Sequence, residues 1–170
     1  MNTLVLWIYR LLANLLPESR CFGFKNTLLR LAGAKIGKNV RVYSSAHILG
    51  NGTLEIGDDV HVGAKVLLYS VSPAGIYLGS HIDIAPCVTI LTGSHMITPE
   101  CEHMAGEGIA KDVRISDGCW LGASSTILTG VVLPPKTIVA AGSVVINTPL
   151  NNDSSPFLLA GIPASIKKHY

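Results

Sequence analysis

Charge is scarce in this chain: of 170 residues only 14% are Asp, Glu, Lys or Arg, while 48% are apolar. One domain of this length can bury a core of its own, but so little charge leaves apolar surface for a partner subunit to cover. The four cysteines (Cys21, Cys87, Cys101, Cys119) lack CxxC or zinc-like spacing, which argues against a metal knuckle or a redox motif. No apolar run is long. The first, residues 4–16, is broken by Arg10 and Asn14, and at thirteen residues it is too short to span a bilayer. It also has no basic residue before it and no small-residue cleavage site, so it is not laid out as a secretory signal. Acid is missing altogether from residues 118–152. An acid-free ridge suits a polyanionic ligand, although tight packing alone also explains such a stretch.

What is present is a period of six. Ile115, Leu121, Ile127, Leu133, Val139 and Val145 form one unbroken register, with Cys119, Ser125, Val131, Thr137 and Ser143 four places after the aliphatic residue of each unit. Shorter registers precede it: Ile36, Val42, Ile48; Ile56, Val62, Leu68; Leu78, Ile84, Ile90. Helices and paired strands repeat at about 3.6 and 2 residues, so neither explains a period of six. A short strand plus a tight corner does, three such sides making one coil of a solenoid whose aliphatic residues stack into a continuous core. Cys87 and Cys119 fall inside these units and are expected to be small buried residues of a protein in a reducing, cytoplasmic compartment.

These units, aliphatic then small and small again at the fifth place, resemble those of the hexapeptide-repeat acyltransferases, and the resemblance covers about two thirds of the chain. It implies a mainly β fold, a left-handed parallel β-helix of three sheets, working as a homotrimer. Handedness comes from the resemblance alone, since most parallel crossovers are right-handed. Along the chain we expect an N-terminal helical cap (1–35), the coil (36–150) with an extruded loop (96–114) and a closing segment (151–170). The cap is expected to hold one amphipathic helix ending near Pro17 and a second over 22–31. Residues 1–41 carry seven cations against one acid, a net of +6 where the whole chain has +2. Such a basic, apolar lead suits either an end cap or a peripheral contact with an anionic membrane face.

The register slips at 51–53, at 70–75 and at 96–114, three expected loops. Long excursions from compact repeats tend to be functional. The third follows His95 in Thr92-Gly93-Ser94-His95, a pattern that resembles the sugar O-acetyltransferases of the family, where this histidine is the general base. Most surface histidines are inert, but an alcohol attacking a thioester must lose its proton, and imidazole titrates near neutral pH. His47, His61, His81, His103 and His169 show no zinc-ligand spacing, so no metal is expected. Stacking the coils across the loop places Asp83 on Trp120, with His61 one coil earlier, all facing outward. The resemblance puts Trp120 in the donor and acceptor cleft. Asp83 is therefore a candidate for holding a sugar hydroxyl or orienting His95 of a neighbour, or is only a solvated charge.

For the donor, the resemblance implies acetyl-CoA lying along the coil. Its contacts would be Trp120, Gly122, Ala123, Ala141 and Gly142, largely through backbone. Lys167 and Lys168, after the closing Leu159-Ala160-Gly161-Ile162-Pro163-Ala164, would meet its phosphates. Where many relatives have Lys or Arg after the last unit, this chain has Ile146-Asn147-Thr148-Pro149. The expected activity is acetyl-CoA-dependent O-acetylation of a sugar hydroxyl, on a surface polysaccharide or its precursor, by direct transfer without an acyl-enzyme. No nucleic acid partner is expected. The rivals are N-acetylation of an amino sugar, O-acetylation of serine or an antibiotic, and a structural trimer without catalysis.

Overall fold

A computed structural model describes residues 1–146 and 156–170. The departure at 147–149 and the start of the closing segment at 151–155 lie outside these residues. Two helices, α1 (Thr3–Asn14) and α2 (Phe22–Leu31), precede a stack of parallel coils. Each coil contributes one short strand to each of three sheets. The first sheet runs from Lys35–Ile36 to Val132–Leu133, the second from Arg41–Val42 to Ala164–His169, and the third from His47–Gly50 to Val144–Val145.

The six-residue period becomes geometry directly. In every register the aliphatic residue faces the axis: Val42, Ile48, Val62, Ile90, Leu121, Ile127, Leu133 and Val139 are all fully buried. The fifth position also turns inward, as Cys119, Ser125, Val131, Thr137 and Ser143 show. Each unit thus supplies two core residues, and like residues stack on like from coil to coil. Close approach demands glycine at some corners. A Cβ on Gly122 would lie 2.5 Å from the Ala141 nitrogen and 2.7 Å from the Val139 oxygen, closer than backbone atoms tolerate.

The helices close the open edge of the first coil. α1 packs on α2 and on the edge strand His47–Gly50, while α2 packs on the edge strands of the other two sheets. The Asn2 side chain caps α1 by accepting from the Leu4 and Val5 amides at 3.0 and 3.2 Å. Leu6, Tyr9, Ala13, Leu29 and Ala32 bury their side chains in the same core as the coil. The turn between the helices is tied down as well. Glu18 accepts from the Ser45 amide at 2.8 Å and from the Ser45 hydroxyl, and the buried Lys25 amine donates to the Glu18 carbonyl and to Ser44, each at 3.2 Å.

Three expectations need correction. Cys87 is exposed at a corner with φ +63°, so its thiol is not a core group as Cys119 is. A repeat unit has outward corner positions too, and Cys87 holds one. The slips at 51–53 and 70–75 are not loops leaving the coil. They are wider corners between four-residue strands, and those strands stay in register (His47 on Leu67, Thr53 on Gly75). The excursion expected at 96–114 is a hairpin of Gly93–Ile97 and Ala105–Ala110, and Val113–Ile115 is already back in the first sheet.

Candidate active site

The chain leaves the coil at Thr92 and returns at Lys111, and a hydrogen-bonded neck closes the gap. The Lys111 amide donates to the Thr92 carbonyl at 3.0 Å, and the Thr129 hydroxyl donates to the same oxygen at 2.7 Å. His95 therefore sits inside the hairpin rather than on the coil just before it. It is exposed, in line with the outward placement expected, as are Ser94, Met96 and Ile97 on the same strand. Its Nδ1 lies 2.9 Å from the Gly106 carbonyl oxygen. A carbonyl only accepts, so Nδ1 is the donor here, and in the neutral ring the lone pair is then on Nε2. The ring borders a cavity of about 420 Å³ whose other walls include Tyr69, Val71, Ser72, Pro73 and Ile109. Sequence reasoning missed Tyr69, Ser72 and Pro73. The register slip beside them was the available signal, because a widened corner next to an excursion makes a concave wall.

A second group lies on the outer side of the second sheet. Parallel pairing places His61 on Asp83, Asp83 on Trp120, and Trp120 on Ile138, as expected from stacking the coils across the excursion. Trp120 is 54% exposed, an open aromatic platform. His61 and Asp83 approach to 3.8 Å, too far for a hydrogen bond. The His61 ring lies against Tyr43, 5.0 Å between centroids, and its Nε2 is buried with no partner among the described residues. Burial, helped by the Arg41 charge, pushes the His61 pKa below its usual 6.5 against the pull of Asp83, so the ring is neutral at pH 7. Tyr43, His61, Ala64, Asp83, Pro86 and Trp120 wall a cavity of about 350 Å³. It shares no lining residue with the His95 cavity, and His95 and Trp120 stand on different sheets.

At the corner after the second sheet, Ala64, Pro86, Ala123 and Ala141 occupy equivalent places. The Cys87, Ser124 and Gly142 amides donate to the Ala64, Pro86 and Ala123 carbonyls at 2.9, 3.0 and 2.9 Å. The amides of Ala123 and Ala141 themselves have no partner among the described residues. Backbone donors left open in register along a ridge can bind the amide oxygens of an extended ligand. Gly122 packs between coils, whereas Gly142 has φ +69° and open space where a Cβ would stand.

The closing segment is a hairpin, Phe157–Gly161 with Ala164–His169, that extends the second sheet. Leu158 pairs with Ile138 and Lys168 with Leu158, so one row runs Asp83, Trp120, Ile138, Leu158, Lys168. Lys167 and Lys168 are exposed, and the Lys168 amine sits 4.4 Å over the Tyr170 ring. Among the described residues, no group of three or more His, Cys, Asp and Glu side chains is placed to hold a metal ion.

No family model matches the chain. A protein of Escherichia coli named as a colanic acid biosynthesis acetyltransferase is 36% identical over 118 residues, 69% of this chain and 62% of the relative. A galactoside O-acetyltransferase of Lactococcus lactis is 29% identical over 119 residues, 69% of this chain and 56% of the relative. The chain thus spans less than two thirds of the length of these relatives. Among solved structures, a maltose O-acetyltransferase from Clostridium difficile superposes with TM-score 0.66 at 21% identity, covering 99% of this chain and 86% of its own. The N-acyltransferase AntD from Bacillus cereus, solved with a dTDP-linked amino sugar and coenzyme A, gives 0.66 at 20% identity over 85% of this chain and 88% of its own. The coil is the left-handed parallel β-helix of these proteins. In its repeat, its fold and these relatives, the chain is similar to the hexapeptide-repeat acyltransferases.

Proposed function

We propose that this protein transfers the acetyl group of acetyl-CoA to a sugar hydroxyl, with His95 as general base. The observation that carries the reading is the bond between His95 Nδ1 and the Gly106 carbonyl, which in the neutral ring puts the lone pair on Nε2, in a side chain that lines an open cavity. In the reaction, Nε2 takes the proton of the acceptor hydroxyl while its oxygen attacks the thioester carbon. The tetrahedral intermediate then collapses, the C–S bond breaks, and the imidazolium returns its proton to the leaving sulfur. No serine or cysteine relay is needed, so no acyl-enzyme forms.

The donor would lie along the row on the second sheet. Its pantetheine arm would pass Trp120 and take hydrogen bonds from the free amides of Ala123 and Ala141, beside the open space at Gly142, while Gly122 holds the two coils close enough to set both amides on one ridge. From Trp120 to Lys168 the row is three strands long, about 14 Å at the usual strand spacing. Lys167 and Lys168 would then stand near the phosphates. Asp83, beside Trp120, would hold a sugar hydroxyl. Because the His95 and Trp120 cavities lie apart in one chain, the working unit would be a homotrimer in which one chain's His95 faces a neighbour's Trp120. The acceptor would be part of a surface polysaccharide or its lipid-linked precursor.

The test is acetyl transfer from acetyl-CoA to a panel of oligosaccharides, with amino sugars and serine in parallel. Ester formation on a sugar hydroxyl, abolished in His95→Ala, supports the reading. Amide formation on an amino sugar, or no transfer to any acceptor, contradicts it.

A further inference from the structure

The outer face of α1 has no partner among the described residues. The helix buries Leu6, Tyr9 and Ala13 on one side, and on the opposite side shows Leu4, Trp7, Ile8 and Leu11, continued by Leu15 just past its end. These recur at three and four residues and make a second apolar stripe. Their exposures are large for apolar side chains, 65% at Leu4, 55% at Trp7 and 82% at Leu15. Phe24 and Leu31 of α2 are exposed at the same end of the molecule, at 50% and 67%. Because both helices lie over the open edge of the first coil, side-by-side packing of coils leaves this end uncovered.

Charge separates the occupants this face could take. Of the seven cations within residues 1–41, Lys25 is buried, Arg30 is bound to the Ile36 and Gly37 carbonyls, and Lys35 pairs with Glu55 at 2.6 Å. Arg10, Arg20, Lys38 and Arg41 are exposed and have no ion-pair partner among the described residues. The one acid in the segment, Glu18, is taken up by Ser45. Two copies meeting through this face would bring their Arg10 side chains together, and like-charge juxtaposition opposes such a contact. An anionic bilayer surface satisfies both features. Its acyl boundary accepts Leu, Ile and Trp side chains, and its headgroups attract the free guanidinium and ammonium groups. α1 has 12 residues, about 18 Å of helix, far short of a span.

We propose that the α1 stripe with Arg10 and Arg20 docks this protein flat on an anionic lipid surface, with Trp7 at the headgroup boundary. Three such ends on the proposed trimer would face one plane, so weak single contacts would add. Docking does not depend on the acetyl-transfer reading, and its test needs no substrate.

The test is flotation of the intact protein with vesicles of phosphatidylcholine mixed with phosphatidylglycerol, and with pure phosphatidylcholine. The protein is expected to float with the mixed vesicles at low salt, to stay behind with the neutral ones, and to be released as salt screens the charges. In Trp120→Phe, which leaves Trp7 as the sole tryptophan, emission should shift to the blue on mixed vesicles. Arg10→Gln with Arg20→Gln should weaken vesicle binding by at least roughly thirtyfold, the share of two surface cations on one docked chain. Leu4→Gln with Leu11→Gln should weaken it with the sedimentation coefficient unchanged. No floating fraction at low salt, or a Trp7 emission that ignores lipid, overturns the proposal. A drop in oligomer size in the leucine variant also overturns it, by showing that a second copy covers the stripe.

Discussion

Replacing Gly122 with alanine tests how tightly the coils stack. The added carbon would stand 2.5 Å from the Ala141 nitrogen, 2.7 Å from the Val139 oxygen and 2.9 Å from the Ala140 carbonyl carbon, all backbone atoms of the next coil. No rotamer relieves that overlap, so the two coils must separate. Separation strains the Gly122 amide bond to the Val139 carbonyl, now 2.8 Å, and the bond from the Gly142 amide to the Ala123 carbonyl, now 2.9 Å. Overpacking of this kind costs about 1–3 kcal/mol. For a chain of this size that corresponds to a fall in Tm of roughly 2–12 °C, taking about 2–4 °C for each kcal/mol. Calorimetry at fixed protein concentration reads it. Two other glycines calibrate the result. At Gly108 a Cβ meets nothing within 4 Å and φ is ordinary, so Gly108→Ala should fall within about 0.5 kcal/mol of wild type. Gly142 also has open space but a φ of +69°, so Gly142→Ala should show backbone strain alone, about 1–2 kcal/mol. If Gly122→Ala melts with Gly108→Ala, the coils are not as close at this corner as described.

Native alkylation with iodoacetamide should label Cys21, Cys87 and Cys101 and spare Cys119, which is buried with its thiol pushed up to about 11; mass spectrometry counts the adducts, and early loss of Cys119 would contradict the packing. His61 has a folded pKa below its usual 6.5, so on acidification the unfolded chain takes the proton first and stability falls as pH drops below that value. Urea midpoints measured above and below pH 6.5 should show this slope, and His61→Gln should flatten it. Lys167→Ala with Lys168→Ala should raise the KM for acetyl-CoA several-fold with kcat little changed, the signature of lost ground-state binding; a fall in kcat alone would place the lysines elsewhere.

The parts of this molecule legible in the sequence are those governed by period and register. Six-residue spacing identified inward residues such as Leu121 and Ile127, because a stacked coil repeats one environment. Counting coils across the excursion also paired Asp83 with Trp120, since parallel strands keep register wherever the chain rejoins the stack. What period could not show is where the chain leaves that stack. Thr92 and Lys111 close the neck through Thr129, a residue of the next coil, and no local pattern marks that meeting. The hydrogen bond of His95 was hidden for the same reason, because its partner Gly106 lies on the opposite hairpin strand. Cys87 was misplaced because a unit's outward corner and its inward fifth position both accept small residues. The free amides of Ala123 and Ala141 follow from corner geometry, which side-chain identity barely records.

The most direct test of the account is the initial rate of coenzyme A release from acetyl-CoA, with the sugar acceptor found in the panel, for wild type against His95→Asn. Asparagine keeps polarity at an exposed hairpin site, so folding and oligomer size should be unchanged. The account predicts a loss of about a hundredfold or more in rate, the usual share of a general base. A rate equal to wild type would contradict it.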